Sequence, residues 1–381
     1  MRYVKPHFYD EFKCIADKCP DTCCAGWQIV IDEESLDKYA ACEDEFGKHL
    51  NDSIDWQEGC FYQNNRRCAM LNDSNLCNLM IEKGEGWLCR TCDQYPRHTE
   101  EFDGVREVSL SLSCPVAAEI MLKEEKPLRF VINEDDEPDP LEDEFEDFDY
   151  LLYSQLVDAR EAIFEVAQNR SISIWQRLAI ITDMARTMQS CVDEGRACDI
   201  VDVAEECKIA AESKGMYQQV EVLTGKERYE KVKDAFSLFY ELENLREEWP
   251  DVLAETEKTL YDSYHKYAQI DAVFEDEYVA VFGAAKWEIF LEQILMFFLY
   301  TYFCGAVYDE CVYSKVALAA YSVCYIREMI MGRWYANGKT IDISDCITLA
   351  YRYAREVEHS DVNLNHMEEW FMERFDHETG K

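Results

Sequence analysis

Eleven of the eighteen cysteines lie in the first third of the chain. They are Cys14, Cys19, Cys23, Cys24, Cys42, Cys60, Cys68, Cys77, Cys89, Cys92 and Cys114. The densest piece reads CIADKCPDTCC, and a second knot, CRTCDQYPR, runs from Cys89 to Arg97. The N-terminus, MRYVKPHFYDEFKC, lacks the apolar run of a secretory signal, so the expected compartment is the reducing cytoplasm. Thiolates this crowded in such a chain point to a metal or an iron–sulfur cluster rather than to disulfides.

Four thiolates satisfy either a tetrahedral zinc ion or a cubane [4Fe–4S] cluster, and CxxC pairs serve both. Two details favour the cluster. Cys19-Pro20 and Cys114-Pro115 are Cys-Pro pairs, which recur at the ends of cluster-binding runs. The vicinal Cys23-Cys24 pair suits a cluster-chelating segment better than a zinc knuckle, whose ligands come as two spaced pairs. Zinc stays open as the alternative. The expected ligands are led by Cys23, Cys24, Cys68, Cys77 and Cys92, followed by Cys19, Cys89 and Cys114, and then Cys14. Cys42 and Cys60 read as ordinary residues, and the cysteines from Cys191 onward as buried core thiols. A radical-type adenosylmethionine enzyme would need CxxxCxxC. Cys19 and Cys23 supply its first half, but Gly26 stands at the third place. No GxGxxG follows a strand.

The elements that must position these thiols are short. Trp27–Asp32, Phe61–Gln63, Ala69–Leu71 and Val105–Leu112 have strand composition, and Glu33–Ala41 reads as a helix. From residue 151 onward the apolar spacing is helical. It predicts helices over 148–169, 173–194, 199–214, 227–246, 250–270, 276–304, 311–332, 343–358 and 361–376. Ser173, Ser344 and Asp361 are the expected N-caps, and Gly195, Gly215 and Gly338 the expected helix ends. The fold class is therefore mainly α. A cysteine-rich metal-binding domain with short strands (1–126) precedes an acidic linker (127–150) and an all-helical domain (151–381). The run ILMFFLYTYFCGAVY from Ile294 is flanked by acids and reads as a buried core helix, not a membrane span. The aromatic side chains concentrated around it are core, with a minority available to line a pocket for an adenosine-like or lysine-like ligand.

The chain carries 38 basic against 78 acidic residues, a formal net charge of −40. A nucleic-acid partner is excluded, since phosphate contacts need an excess of Lys and Arg. An anionic membrane surface is disfavoured for the same reason. A lysine-rich protein surface would be attracted, although the acidity also serves simple solubility.

The stretches FKCIADKCPDTCCAGWQIVIDEESLDKY, CAMLNDSNLCNLM, CRTCDQYPR and LSLSCP together resemble the flagellin lysine-N-methylase family. They are also similar to the small zinc- or iron-chelating cysteine-rich domains, with Cys68, Leu71, Cys77, Cys92, Tyr95 and Pro96 on the matching positions. ENLREEWPDVL and EQILMFFLYTYF look similar to the helical half of the family. The resemblance implies methyl transfer from S-adenosylmethionine to lysine side chains of flagellin, with a [4Fe–4S] cluster involved. It implies no catalytic residue beyond the cysteines. Arg90, Arg97 and His98, beside the second knot, would be placed to hold the carboxylate of the methyl donor. The competing reading is a metal-held binding module, zinc-stabilised or iron-chelating, that does no chemistry. The sequence sets no oligomeric state.

Overall fold

A computed structural model describes residues 1–136, 145, 148–213 and 225–380. Two hydrophobic cores organise them. The smaller gathers Ile29, Ile31, Tyr39, Leu50, Ile54, Phe61, Met70 and Leu79 around the buried thiols Cys42, Cys68 and Cys89. Its regular elements are few: the helices Glu33–Ala40 and Glu45–Asp52, two two-stranded ribbons, and the short helices Asn78–Lys83 and Arg90–Gln94. Trp27–Asp32, expected as a strand, makes only single bridges. Val30 pairs with Cys60 alone, because Gly26 turns the chain at a φ of +91° just before it.

The larger core holds everything else, including both flanks of the cysteine-rich segment. Arg2–Pro6 runs parallel to Val105–Leu110 and antiparallel to Phe130–Glu134, and Arg97–Phe102 closes the far edge antiparallel to Val105–Leu110. The start of the expected acidic linker is therefore an edge strand. FVINE supplies five extended residues whose backbone is satisfied by the N-terminal strand. Residues 137–144 and 146–147 of that linker lie outside the described residues.

The sheet is fastened to the helices by buried polar contacts. Arg160, in the helix Tyr150–Ala167, grips both carboxylate oxygens of Glu107 at 2.5 and 2.6 Å. The hydroxyl of Tyr300 donates to the carbonyl of Val4 at 2.8 Å. Bidentate charge-assisted bonds of this kind fix orientation as well as contributing energy.

The helical periodicity yields the helices Ile174–Asp193, Ile200–Ser213, Gly225–Phe236, Trp249–Leu260, Tyr264–Phe274, Ala284–Tyr302, Val312–Ala336, Ile343–Glu358 and Asp361–Thr379. The expected helix 250–270 is broken in two, because Ser263 caps a new helix by accepting from the Lys266 N–H, and 276–304 begins only at Ala284, after Gly283 turns the chain at a φ of +102°. Ser173 forms a capping box with Gln176. Asp342 rather than Ser344, and Ser360 rather than Asp361, cap the last two helices, because their side chains reach the N–H three residues on. The expected helix 227–246 stops early. Glu243 N–H is taken by Asn363 Oδ1 and Leu245 N–H by Glu356 Oε2, so this stretch hydrogen-bonds to other helices instead of coiling. Gly215 and the C-terminal edge of the 199–214 helix lie outside the described residues. The segment Ala284–Asp309 is long and apolar enough to cross a membrane, yet 83% of its apolar window is buried inside the protein.

Candidate functional site

The thiols divide at the Cys23-Cys24 peptide. Cys24, Cys68, Cys77, Cys89 and Cys92 face one another closely enough that a charge on one raises the pKa of its neighbours. Burial is the larger cause for Cys68, pushed up to about 12, and for Cys77. Two thiol pairs interact directly. Cys23 donates to Cys24, whose pKa falls to about 7, and Cys92 donates to Cys89, which also falls. Backbone N–H groups point at several of these sulfurs: Met70 at Cys68, Leu79 and Met80 at Cys77, and Cys92 at Cys89. N–H groups aimed at sulfur stabilise thiolate, the form that binds metal. Cys23, Cys114, Cys19 and Cys14 form a second, looser line on the other side, each neighbouring the next. The donor chemistry of the first set fits a cubane cluster or zinc. Among the described residues, no three His, Cys, Asp or Glu side chains form a ready-made coordination sphere. Cys42 and Cys60 are buried outside both groups. Cys42 bonds Asp44 and Cys60 accepts from Gln28.

The loop carrying the thiols is clamped to the helical half by arginines. Arg355, fully buried in the last turn of Ile343–Glu358, donates to the carbonyls of Ser113 (2.8 Å) and Asp21 (2.9 Å) and pairs with the Asp21 carboxylate at 2.6 Å. Arg246 reaches the Asp21 carboxylate and the Thr22 carbonyl at 3.2 and 3.0 Å. Gly26 fits only because it has no side chain. A Cβ there would stand 2.7 Å from Arg246 Nε. The position where a third radical-type cysteine would fall is therefore closed to any side chain.

Beside this clamp opens a cavity of about 410 Å³. Trp27, Tyr95 and Tyr302 supply its aromatic walls, and Glu100, Asp309, Glu358, Asp361 and Glu368 its carboxylates. The Glu368 and Asp309 end is neutralised by buried Lys315, at 2.5 and 2.7 Å. The Glu358 end has no direct ion pair of this kind, and the one charge acting on Glu358 there is that of His98. Glu358 accepts from Ser111 Oγ (3.0 Å), Ser113 N–H (3.2 Å) and Tyr302 OH (3.0 Å), all neutral donors. Burial outweighs these bonds and pushes its carboxyl up to about 7. His359 stacks on Trp27 at 4.7 Å and bonds Ser113 Oγ at 2.9 Å. Burial, then the charges of Arg355 and Arg246, hold it well below the usual histidine range, hence neutral. Trp27 is anchored by its indole N–H to the Cys23 carbonyl at 2.7 Å, so the cavity wall continues directly into the thiol loop.

Arg97 and His98 line this cavity. Arg97 stacks over Phe12 at 5.4 Å. His98 bonds Glu100 at 2.5 Å; burial is the largest effect and lowers its pKa, but the bond and the charges of Glu100, Glu358 and Asp361 together raise it. Arg90 does not line the cavity; its backbone N–H donates to the carboxylate of Asp32, the residue that caps Glu33–Ala40. The sequence does not single out Glu358, His359 or Trp27, while Tyr302 belongs to the aromatic concentration of which a minority is expected to line a pocket. The available signal was REVEH at the end of an otherwise Ala- and Tyr-rich helix, a charged run on a face that should be apolar. A negative, aromatic-walled cavity holds a cation with an aliphatic stem, and a carboxyl poised near neutrality accepts a proton.

Residues 160–379 match the model of the FliB lysine N-methylase C-terminal domain. The chain is 30% identical over 121 residues to the flagellar biosynthetic protein FliU of Salmonella muenchen, covering 29% of this chain and 72% of that protein. It is 28% identical over 121 residues to proteins called lysine-N-methylase in Salmonella typhimurium and Salmonella choleraesuis, covering 29% of this chain and 30% of each relative. The chain thus spans less than a third of the length of those two. No solved structure matches it.

Proposed function

The chain belongs to the FliB lysine N-methylase family, and from that premise we propose that it is an S-adenosylmethionine-dependent protein-lysine N-methyltransferase acting on flagellin or a similarly lysine-rich protein. The observation that supports this most is Glu358, a buried carboxyl raised to about 7 and bonded directly by neutral donors alone, in the wall of the acidic, aromatic cavity.

A lysine amine is a nucleophile only after losing its proton, and its ordinary pKa is near 10.4. In this reading the ammonium enters between Trp27, Tyr95 and Tyr302, drawn by the carboxylates. Glu358 accepts the proton. Its raised pKa narrows the gap to the amine, and a sulfonium alongside lowers the amine's own pKa. The amine lone pair then forms the new C–N bond as the methyl C–S bond breaks. The bonding electrons leave with sulfur, giving the methylated ammonium and S-adenosylhomocysteine. Neutral His359 and Ser113 hold the wall without adding positive charge to repel the substrate.

A [4Fe–4S] cluster, or zinc, would be held by the set Cys24, Cys68, Cys77, Cys89 and Cys92, with Cys23 beside it. Bound there it would neutralise the converging thiolates and, as a cluster, supply a redox centre. The second reading, a zinc-held platform without chemistry, is favoured by the sparse regular structure of the smaller core. Iron, sulfide and zinc content of protein prepared without oxygen separates the two.

The decisive experiment is mass-spectrometric methyl counting on flagellin lysines with wild type and Glu358→Gln. Gln keeps the shape and still accepts hydrogen bonds. Removal of a general base predicts a loss of about 100-fold or more in rate. Undiminished methylation in the variant would remove Glu358 from the mechanism.

A further inference from the structure

A second cavity, of about 790 Å³, adjoins the first. Trp27, Thr91, Glu358, His359 and Asp361 line both, so the Trp27–His359 stack stands at their boundary. The ring of His359 therefore borders the acidic cavity and the larger one beyond it.

A line of hydrogen bonds joins Glu358 to that ring. Ser111 Oγ bonds Glu358 Oε2 at 3.0 Å, Ser111 Oγ bonds Ser113 Oγ, and Ser113 Oγ bonds His359 Nε2 at 2.9 Å. Two further contacts fill the valences. The Ser113 N–H donates to Ser111 Oγ at 3.2 Å, and the Tyr95 hydroxyl meets Ser113 Oγ at 3.0 Å. Each serine oxygen thus has three polar partners, the most that one proton and two lone pairs can serve.

The direction of the line follows from the charge on Glu358. When Glu358 is ionised it accepts from Ser111. Ser111 then accepts from Ser113, and Ser113 accepts from Tyr95 and from a protonated Nε2. When Glu358 carries a proton on Oε2 it donates to Ser111. Ser111 then donates to Ser113, and Ser113 donates to a bare Nε2, with the ring proton on Nδ1. Both arrangements satisfy every hydroxyl, and Tyr95 donates in both.

The surrounding charges suit passage through a neutral ring. Arg355 and Arg246 oppose a positive charge on His359, so it carries a proton by exchanging tautomers and not as imidazolium. Around Glu358 stand His98 and Glu100 from the sheet edge, Tyr302, and Asp361 from the last helix. None of these four bonds either serine oxygen.

We infer that Ser111, Ser113 and His359 form a relay that carries the proton taken up by Glu358 out of the acidic cavity and into the larger one. In the step, the Oε2 proton of Glu358 passes to Ser111 Oγ, the Ser111 proton to Ser113 Oγ, and the Ser113 proton to His359 Nε2. The Nδ1 proton leaves to water. Glu358 is ionised again, and the ring ends neutral with its proton on Nε2. The inference rests on the reading of Glu358 as the base of the methyltransferase.

The test is nuclear magnetic resonance of the full chain, prepared without oxygen, with its histidines labelled with heavy nitrogen. His359→Gln identifies the His359 signals, and the readout needs no turnover. In wild type the protonated ring nitrogen is expected to be Nδ1 below about 7 and Nε2 above it, where Glu358 empties. Ser111→Ala is expected to lose this exchange. Its kcat on flagellin is expected to fall about tenfold or more at unchanged KM, because a proton-transfer link is gone while the amine still binds. One fixed tautomer in wild type, an exchange that survives in Ser111→Ala, or an undiminished kcat in that variant overturns the relay while leaving the methyltransferase reading standing. Should Ser111→Ala fail to fold, the wild-type tautomer decides alone. A tautomer exchange in a protein that adds no methyl groups to flagellin overturns the inference through the reading it rests on.

Discussion

The two cores of this molecule are held by different forces. The larger is a conventional apolar interior in which most buried charged groups are paired, Glu356 and Glu358 being held by neutral donors instead. Arg177 is fully buried in the helix Ile174–Asp193, yet it bonds Glu292 at 2.7 Å, Glu288 at 2.8 Å and the Ala167 carbonyl at 3.0 Å. The smaller core has few apolar residues, ribbons of two residues per strand, and thiols where aliphatic side chains would otherwise stand. Burial alone stabilises so small an interior weakly. The difference teaches that sulfur here stands where hydrocarbon otherwise would, and that the smaller core is the one a ligand on its thiols would stabilise most.

The sharpest way to break this contrast is to deprive the thiols of their partner. Cys24→Ser combined with Cys92→Ser, or chelation of the metal, should abolish amide-exchange protection across residues 24–92. Protection in Ala284–Tyr302 and Val312–Ala336 should persist. Metal-coupled folding of this kind typically involves about 10 kcal/mol or more. Equal loss in both regions would show that the cores are not independent.

In the larger core the corresponding weak point is a charge. Arg160→Ala leaves Glu107 buried without its guanidinium partner and should cost about 3–5 kcal/mol in denaturant unfolding. The metal content should be unchanged.

A titration separates the regions next. Burial raises the carboxyls of Glu356 and Glu358 to about 7. The folded state therefore holds protons that the unfolded chain has released, and stability falls as pH rises from about 4.5 to about 7, by about 3 kcal/mol per group. Methyl transfer should rise over the upper part of the same window, as Glu358 empties. Glu358→Gln should flatten its share of both curves. The smallest effect is a cap: Ser173→Ala should lower thermal stability by about 1 kcal/mol.

Much of the larger core was legible because its helices are long and strongly periodic. The expected span 343–358 coincides with the observed helix, and 173–194 differs from it by a residue at each end. The sheet was less legible. Arg2–Pro6 becomes a strand only by pairing with residues more than a hundred positions away, a contact that local propensity does not register. The cysteine knots announced themselves, but their division into two faces at Cys23-Cys24 depends on a turn forced by Gly26 and Arg246. Arg90 was singled out for its closeness in sequence to Cys89, and the helix it begins turns its side chain to solvent. Glu358 and His359 escaped notice because residues at a helix end are ordinarily solvated. Here the Ser111–Ser113 turn and the Trp27 loop cover them.

The indole of Trp27 deserves a last consequence. It is tethered to the carbonyl of Cys23 and lies flat on His359. Any rearrangement of the vicinal sulfurs, whether on loading, loss or oxidation, would therefore tilt that ring and widen or narrow the aperture between the two chambers. The inorganic state of the protein would be felt as a change in shape where the reactants meet.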